Sequence, residues 1–226
     1  MSEISFHAVN ARAPSRSLLL LRNASVVDRF VAVLLLPAVL MCLAVLLPIV
    51  LVLQGRPFLF ASERMATPER AFMLLKIRTM SASQNPRCRV LGGDITSLVT
   101  PIGRVLRRFR LDELPQIFNV LKGDIRFIGP RPPLRRYVEA YPALYRKVLM
   151  SKPGITGLAT VMLHRREERI LSKCKSAQDS DRAYRLYCIA PKARLDLLYE
   201  QRRSIGHDLI ILFWTFARLR KIRQRS

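Results

Sequence analysis

The sequence predicts a mixed α/β fold, mostly helical, in which a small domain follows an N-terminal re-entrant membrane helix and carries interfacial helices. Three observations predict this fold class. A long uncharged apolar run lies near the N-terminus, short strand-like and helix-like segments follow it, and a second apolar stretch lies next to a basic C-terminus. Lysine and arginine total 39 against 16 acidic residues, a net charge of +23. Such a charge indicates anionic partners, namely nucleic acid, acidic lipid or phosphorylated substrates.

The apolar run covers residues 30–53 and contains Pro37 and Pro48, which predict a bend. As a helix it would be about 36 Å long, enough to cross a bilayer. Basic residues flank it on both sides: Arg12, Arg16, Arg22 and Arg29 before it, and Arg56, Arg64 and Arg70 after it. Because basic flanks favour the cytoplasm, we expect a re-entrant helix over residues 26–56, preceded by a flexible basic arm over residues 1–25. The alternative is an ordinary spanning helix.

The next segments predict a β-hairpin and a helix. Apolar stretches at residues 58–62 and 72–78 are typical of strands, and a turn at Thr67 separates them. Thr100 followed by Pro101 is a favourable N-cap and first position of a helix. Four apolar residues then recur at helical spacing: Ile102, Val105, Leu106 and Phe109. We therefore expect an amphipathic helix whose basic edge faces solvent or lipid.

The stretch over residues 104–133 places two adjacent carboxylates, Asp112 and Glu113, among many basic residues. Apolar residues follow at spacings of three and four: Leu114, Ile117, Phe118 and Leu121. This pattern predicts a helix with Asp112 as its N-cap, Pro115 in its first turn and Gly123 as its end. The helix macrodipole would then hold both carboxylates ionised.

Arg131 lies between two prolines in the Gly-Pro-Arg-Pro segment at residues 129–132, which predicts a stiff turn. A guanidinium fixed in this way suits bidentate recognition of phosphate. Carboxylates together with fixed arginines indicate phosphoryl chemistry on an anionic substrate. The alternative is that the Asp-Glu pair is ordinary helix capping.

Residues 209–217 are nearly all apolar and include the single tryptophan, Trp214. The stretch is too short to span a membrane and leads into a basic tail at residues 218–226. An apolar face with tryptophan next to basic residues predicts an interfacial helix on anionic lipid. The alternative is a core helix with a solvated tail.

Cysteines and histidines are scattered along the chain: Cys42, Cys88, Cys174, Cys188, His7, His164 and His207. The cysteines lack C-x-x-C or zinc spacing, so we expect reduced thiols without a metal role. G-x-G-x-x-G and Walker A patterns are missing from the sequence, so neither common nucleotide-binding fold is predicted.

These segments resemble the signature motifs of the bacterial sugar transferases, the monotopic phosphoglycosyl transferases that start glycan assembly on polyprenyl phosphate. The central match is LDELPQIFNVLKGD followed by IGPRP. LLKIRTM and TPIGRVLRR match upstream, and KPGITGLA and the segment at residues 191–216 match downstream. The resemblance covers residues 26–217. Within the family, the chain resembles a subgroup in which Glu167 and Glu168 match two acids, and Pro191 and Lys192 match a later pair.

The resemblance implies a cytoplasmic catalytic domain over residues 57–217, on the cytoplasmic face of the bacterial inner membrane. It implies that Asp112 is the nucleophile and that Glu113 holds Mg²⁺. Lys76, Arg107 and Arg131 would bind phosphates. The sequence departs from the family at the Ser-Pro kink of the membrane helix, because Pro37 lies about one turn before the expected position.

The implied reaction moves a sugar phosphate from a UDP-sugar to polyprenyl (undecaprenyl) phosphate through an aspartyl-phosphosugar intermediate. It would initiate exopolysaccharide, capsule, O-antigen or glycoprotein glycan assembly. Inner-membrane lipids are expected partners, nucleic acid is not, and a homodimer is a further option. The alternative is a different class of function, in which the chain is a non-catalytic, membrane-anchored protein that recruits partners through its basic surface. DNA binding ranks third because the chain lacks a recognisable reading motif.

Overall fold

A computed structural model describes residues 17–81, 98–174 and 176–223 of the chain. The elements are α1 (Ser17–Gln54), β1 (Leu59–Met65), β2 (Ala71–Ile77), α2 (Pro101–Arg108), a 3₁₀ turn (Leu111–Glu113), α3 (Gln116–Lys122), β3 (Arg126–Ile128), α4 (Arg135–Ala140), α5 (Pro142–Val148), β4 (Gly154–Thr156), α6 (Leu158–Leu171), α7 (Ala177–Tyr187), α8 (Ile189–Gln201) and α9 (Ile205–Arg223). The predicted class, mixed α/β and mostly helical, is confirmed.

Helix α1 is continuous and contains both Pro37 and Pro48. It begins at Ser17, so residues 17–25, expected to belong to a flexible arm, are helical, and residues 1–16 lie outside the described residues. Among the described residues, one helix segment, Val26–Gln54, is long and apolar enough to cross a membrane, and only 6% of its most apolar window is buried. This exposed apolar surface indicates membrane association.

One stripe of α1 packs against the rest of the fold. Ala32, Leu36 and Val39 join a core cluster with residues of β2 and α3. Leu43, Leu46 and Val50 join a second cluster with residues of β2 and α2. These six positions recur at spacings of four and three, which keeps them on one helical face. The domain therefore lies alongside α1 over about 27 Å of its length.

The predicted hairpin is confirmed. Strands β1 and β2 pair antiparallel, from Leu59 opposite Ile77 to Met65 opposite Ala71. A second pair was not predicted: β3 and β4 are parallel, and β4 lies within the KPGITGLA motif.

The close approach of the β3 and β4 backbones requires glycine. A Cβ on Gly154 would lie 2.2 Å from the backbone nitrogen of Gly129. Gly129 donates its N–H to the carbonyl oxygen of Thr156 at 2.9 Å. The β4 pairing therefore continues into the segment that carries Arg131.

Helix α2 begins as predicted, because Pro101 is its first residue and the Thr100 hydroxyl accepts a hydrogen bond from Gly103 N–H at 3.0 Å. Helix α3 ends as predicted at Gly123, whose φ of 82° is left-handed. The predicted start of α3 is wrong, since its N-cap is Pro115 and not Asp112. Arg110 adopts a left-handed conformation with φ 55°, which ends α2 and begins a separate 3₁₀ turn.

Helices α4 to α8 form a helical lobe beside the hairpin, with Tyr137, Tyr145 and Ile189 in its core. Helix α9 buries Ile211 against β3 and α8. It leaves Leu209, Phe213, Trp214 and other large apolar residues exposed.

Candidate active site

The fold brings all five predicted site residues together. Lys76 comes from the end of β2, Arg107 from α2, Asp112 and Glu113 from the 3₁₀ turn, and Arg131 from the segment after β3. The Lys76 Nζ lies 3.3 Å from a Glu113 carboxylate oxygen and 4.0 Å from an Asp112 oxygen. An Arg131 nitrogen lies 3.1 Å from Glu113. Residues that are distant in sequence therefore surround one pair of carboxylates.

Glu113 is the centre of this cluster. Its Oε1 accepts hydrogen bonds from Lys76 at 3.3 Å and Arg131 at 3.1 Å. Its Oε2 accepts from two nitrogens of Arg110, one of them, Nε, at 3.0 Å. A carboxylate offers about four lone-pair sites, so these four bonds saturate it. Burial opposes ionisation, but the charges of Arg131, Lys76 and Arg110 hold the pKa of Glu113 well below its usual range.

Asp112 is equally buried, with 6% of its surface exposed, but its partners differ. Within the described part of the chain its ion pair is with Lys76, at 4.0 Å. Burial raises the pKa of Asp112, and the charge of Glu113 adds to that effect, while Lys76, Arg107 and Arg131 oppose it. The predicted cause, a helix macrodipole that acts on both acids, is therefore wrong for Asp112. Asp112 is not at the start of α3, and its desolvation is the larger effect.

Lys76 and Arg131 both face the two acids, but their pKa values shift in opposite directions. Burial lowers the pKa of Lys76, against the charges of Glu113 and Asp112. The charge of Glu113 raises the pKa of Arg131, so this guanidinium stays protonated. A fixed guanidinium is suited to hold a phosphate group by two parallel hydrogen bonds.

Arg107 approaches the site from α2. Its charge is one of the influences that lower the pKa of Asp112. Its Nε donates a hydrogen bond to the hydroxyl of Thr79 at 2.9 Å, and Thr79 is 6% exposed. This contact fixes one edge of the guanidinium, whose positive charge is close enough to lower the pKa of Asp112.

Sequence reasoning missed the roles of Arg110 and Thr79. Arg110 was one of several arginines near the acid pair, but it supplies two hydrogen bonds to Glu113 and also donates to the Ile155 carbonyl oxygen at 3.2 Å. Its position three residues before Glu113 was the available signal. Thr79 carried no such signal, because its contact with Arg107 depends on tertiary packing.

Glu167 and Lys192, which matched positions of the family subgroup, form an ion pair at 2.7 Å between α6 and α8. Lys192 also donates to the Tyr184 hydroxyl at 3.3 Å. The charge of Glu167 contributes to raising the pKa of Arg131. The ion pair of Glu167 and Lys192 therefore lies close enough to Arg131 to influence its charge.

The acid pair offers carboxylate oxygens, the type of ligand that magnesium prefers. The described residues contain no group of three or more His, Cys, Asp or Glu side chains that could enclose a metal. Magnesium is usually held by one or two carboxylates together with substrate phosphates and water. Asp112 has the freer oxygens, whereas Glu113 would have to exchange one of its cations to contact the metal.

Among the described residues, the site combines the buried carboxylate of Asp112, which has no cation closer than 4.0 Å, with the carboxylate of Glu113, which binds three cations. An arginine from α2 approaches the same pair. Such a site can bind a diphosphate through its cations while a carboxylate oxygen approaches phosphorus.

Comparison with known proteins places this site in a family. The family model described as bacterial sugar transferase matches residues 21–221. The chain is 38% identical over 111 residues to the UDP-N-acetylgalactosamine-undecaprenyl-phosphate N-acetylgalactosaminephosphotransferase of Aeromonas hydrophila, covering 47% of this chain and 26% of that protein. It is 31% identical over 200 residues to the UDP-glucose:undecaprenyl-phosphate glucose-1-phosphate transferase of Escherichia coli strain K12, covering 87% of this chain and 39% of that protein.

A third relative is the exopolysaccharide production protein ExoY of Sinorhizobium fredii, 29% identical over 179 residues, with 72% of this chain and 70% of that protein covered. The chain thus spans well under half the length of the first two relatives. Because the family model covers most of the chain, including every site residue described above, the chain belongs to the bacterial sugar transferase family.

Proposed function

We propose that this protein is a phosphoglycosyl transferase that moves a sugar-1-phosphate from a UDP-sugar to undecaprenyl phosphate in the membrane. The names of the relatives from Aeromonas hydrophila and Escherichia coli describe this type of reaction. The observation that carries the proposal is the contrast within the acid pair. Glu113 is saturated by three cations, while the neighbouring buried Asp112 has a cation no closer than 4.0 Å among the described residues.

In the first step, an Asp112 carboxylate oxygen attacks the β-phosphorus of the UDP-sugar. A new bond forms between oxygen and phosphorus, the bond to the bridging oxygen breaks, and UMP leaves with that oxygen. Lys76, Arg107 and Arg131 bind the phosphate oxygens and stabilise the charge that develops on them. The product on the protein is an aspartyl phosphosugar.

In the second step, an oxygen of undecaprenyl phosphate attacks the same phosphorus, which releases Asp112 and yields undecaprenyl diphosphate sugar. Mg²⁺ would neutralise part of the phosphate charge if Glu113 exchanged one of its cations for the ion, with Asp112 beside it. Glu113 also keeps Lys76, Arg110 and Arg131 in place around the reacting group. The product would start a polysaccharide or glycoconjugate chain.

The packing of α1 supports an arrangement in which the membrane helix enters and leaves on one side. Near its start, Asp28 accepts a hydrogen bond from Arg126 of β3 at 2.9 Å. At its end, Gln54 donates to the Arg78 carbonyl oxygen at 3.2 Å. Both ends therefore contact the same domain, and a straight crossing would place that domain's polar groups at the depth of the lipid chains. We place the domain on the cytoplasmic face of the inner membrane, because the flanks are basic.

The test of the reaction is the mass of the intact protein after incubation with a UDP-sugar and Mg²⁺, without undecaprenyl phosphate. We expect the wild type to gain the mass of one sugar phosphate. Asp112→Asn should show no adduct and no product, while it still folds and binds membranes, because the amide is not a nucleophile. A panel of UDP-sugars also identifies the donor.

The same experiment separates an enzyme from a non-catalytic membrane anchor. An anchor would show no adduct with any sugar, and its membrane binding would not depend on Asp112. An adduct that persists in Asp112→Asn would remove Asp112 as the nucleophile.

The arrangement of α1 is tested with single cysteines at Val27 and Arg56, in a variant that lacks the native cysteines. Both positions are exposed near opposite ends of the apolar segment. A membrane-impermeant maleimide added to intact cells should label neither, and the same reagent should label both in inverted vesicles. Labelling of one position from each side would show a spanning helix.

A further inference from the structure

Thr79 connects the catalytic cluster to the end of the membrane helix. Its hydroxyl accepts the hydrogen bond from Arg107 Nε at 2.9 Å. Its carbonyl oxygen accepts the backbone N–H of Thr100, the N-cap of α2, at 3.1 Å. A Cβ on Gly103 would lie 2.1 Å from that same carbonyl oxygen, so the first turn of α2 packs directly against the Thr79 backbone. Thr79 is therefore held in one position.

Gln54, the last residue of α1, forms hydrogen bonds with two residues beside Thr79, namely Thr100 and Arg78. The Thr100 hydroxyl donates to Gln54 Oε1 at 2.8 Å. Gln54 Nε2 donates to the carbonyl oxygen of Arg78, the residue before Thr79. Arg78 in turn donates to the carbonyl oxygens of Gln54 and, at 2.7 Å, Gly55, which satisfies the C-terminal end of α1. A continuous set of hydrogen bonds thus runs from α1 to Arg107.

We propose that Thr79 is a positioning residue that directs Arg107 toward Asp112 and the substrate diphosphate, and that the C-terminal end of α1 fixes Thr79 in place. The guanidinium of arginine has five donors in a rigid plane, so fixing Nε sets the direction of the two terminal nitrogens. The membrane helix thereby takes part in the geometry of the active site as well as in anchoring. This inference rests on the proposed phosphate-binding role of Arg107.

The test compares Thr79→Val with Thr79→Ser. Valine has nearly the same shape but no hydroxyl, whereas serine keeps the acceptor. We expect Thr79→Val to bind UDP about tenfold more weakly and to form the phosphosugar adduct about tenfold more slowly or worse, because a hydrogen bond to a charged group is lost. Thr79→Ser should restore both values to within about threefold of the wild type.

Thr67→Val is the matched control. Thr67 lies at the opposite end of the hairpin, and its hydroxyl bonds only locally, to Glu69 and Arg70, among the described contacts. The same chemical change there should leave UDP affinity and adduct formation unchanged. Equal losses in Thr67→Val and Thr79→Val would overturn the proposal, since a general loss of stability would then explain both.

A double-mutant cycle with Arg107→Lys measures whether Thr79 acts through Arg107. Lysine has no Nε–H to donate to Thr79, so Thr79→Val should cost little further UDP affinity in that background. Full additivity would overturn the proposal.

Gln54→Leu tests the link to α1, with an expected two- to fivefold loss of UDP affinity, about the effect of one neutral hydrogen bond. Unchanged UDP affinity in Gln54→Leu would overturn the inference that the end of α1 fixes Thr79 in place. UDP binding is measured without turnover, so this test does not depend on adduct formation. If the wild type forms no adduct, the proposed function fails, whatever the effect of Thr79→Val on UDP affinity.

Discussion

Two regions of this molecule each contain an acid enclosed by cations, and only one has the features of a reactive site. In the active-site cluster, Glu113 is bound by Lys76, Arg110 and Arg131. In the helical lobe, Asp181 is bound by Arg136 at 2.9 Å, Arg185 at 2.8 Å and the Tyr137 hydroxyl at 2.9 Å. Ion-pair density alone does not distinguish the two.

Each region also contains a second acid whose pKa is raised by partial removal from water. Burial raises the pKa of Asp112 in the active-site cluster and that of Asp196 in the helical lobe, the latter to about 7. Asp196 accepts a hydrogen bond from the backbone N–H of Ala159, in the first turn of α6. A raised pKa therefore does not by itself mark a catalytic group.

The difference lies in how the second acid relates to the cations of the first. Lys76 faces both Asp112 and Glu113, so the two acids share one set of cations. The cations of Asp181 instead lie over the ring of Tyr137, with Arg136 4.7 Å and Arg185 5.6 Å from its centroid. When two acids share cations and only one acid is saturated with hydrogen bonds, some of the positive charge remains available to bind a phosphate.

The largest expected effect comes from neutralising the saturated acid in each region. Glu113→Gln and Asp181→Asn should both lower the Tm by about 4–8 °C, because each leaves partly buried cations without their counter-charge, a cost of about 2 kcal/mol. Only Glu113→Gln should reduce the rate of adduct formation, by about 100-fold or more, since Lys76 and Arg131 lose their alignment. Thermal unfolding in detergent and intact-protein mass measure the two quantities. Equal losses of activity in both variants would remove the distinction between the regions.

A smaller effect is expected when charge is kept but geometry is changed. Arg131→Lys should lower kcat/KM for the UDP-sugar about 10- to 100-fold, because lysine cannot form the two parallel hydrogen bonds of a guanidinium. Arg135→Lys is the matched control, since Arg135 forms an exposed ion pair with Glu63 and such pairs contribute little. Turnover by Arg131→Lys that equals that of Arg135→Lys would make Arg131 a structural turn residue.

The sequence predicted the local elements around the acid pair better than it predicted the electrostatics of that pair. Local signals located the hairpin, the start of α2 at Thr100 and the end of α3 at Gly123, because turns and caps depend on nearby residues. The short parallel pair of β3 and β4 had no such signal, since its partners are distant in sequence. The raised pKa of Asp112 depends on burial by the assembled fold, which no local pattern contains.

The smallest expected effect concerns the second acid of the helical lobe and the pH dependence of stability. Burial raises the pKa of Asp196 to about 7, although Lys192 and the Ala159 N–H lower it. In the unfolded chain the value is about 3.9. Between these values the folded protein holds a proton that the unfolded chain does not, so the stability from this group is lost as pH rises from about 4 to about 7. Asp196→Asn cannot ionise and avoids that loss.

The Tm of Asp196→Asn should therefore match the wild type near pH 4 and exceed it by a margin that grows up to about pH 7 and then stays constant. Taking the difference between the two proteins at each pH cancels the titration of all other groups. Adduct formation should be unchanged, because Asp196 lies in α8 and shares no ion pair with Lys76 or Arg131 among the described contacts. A Tm difference that stays flat from pH 4 to pH 8 would show that Asp196 is ionised in the fold. The two regions would then differ in the pKa of their second acid as well as in the sharing of cations.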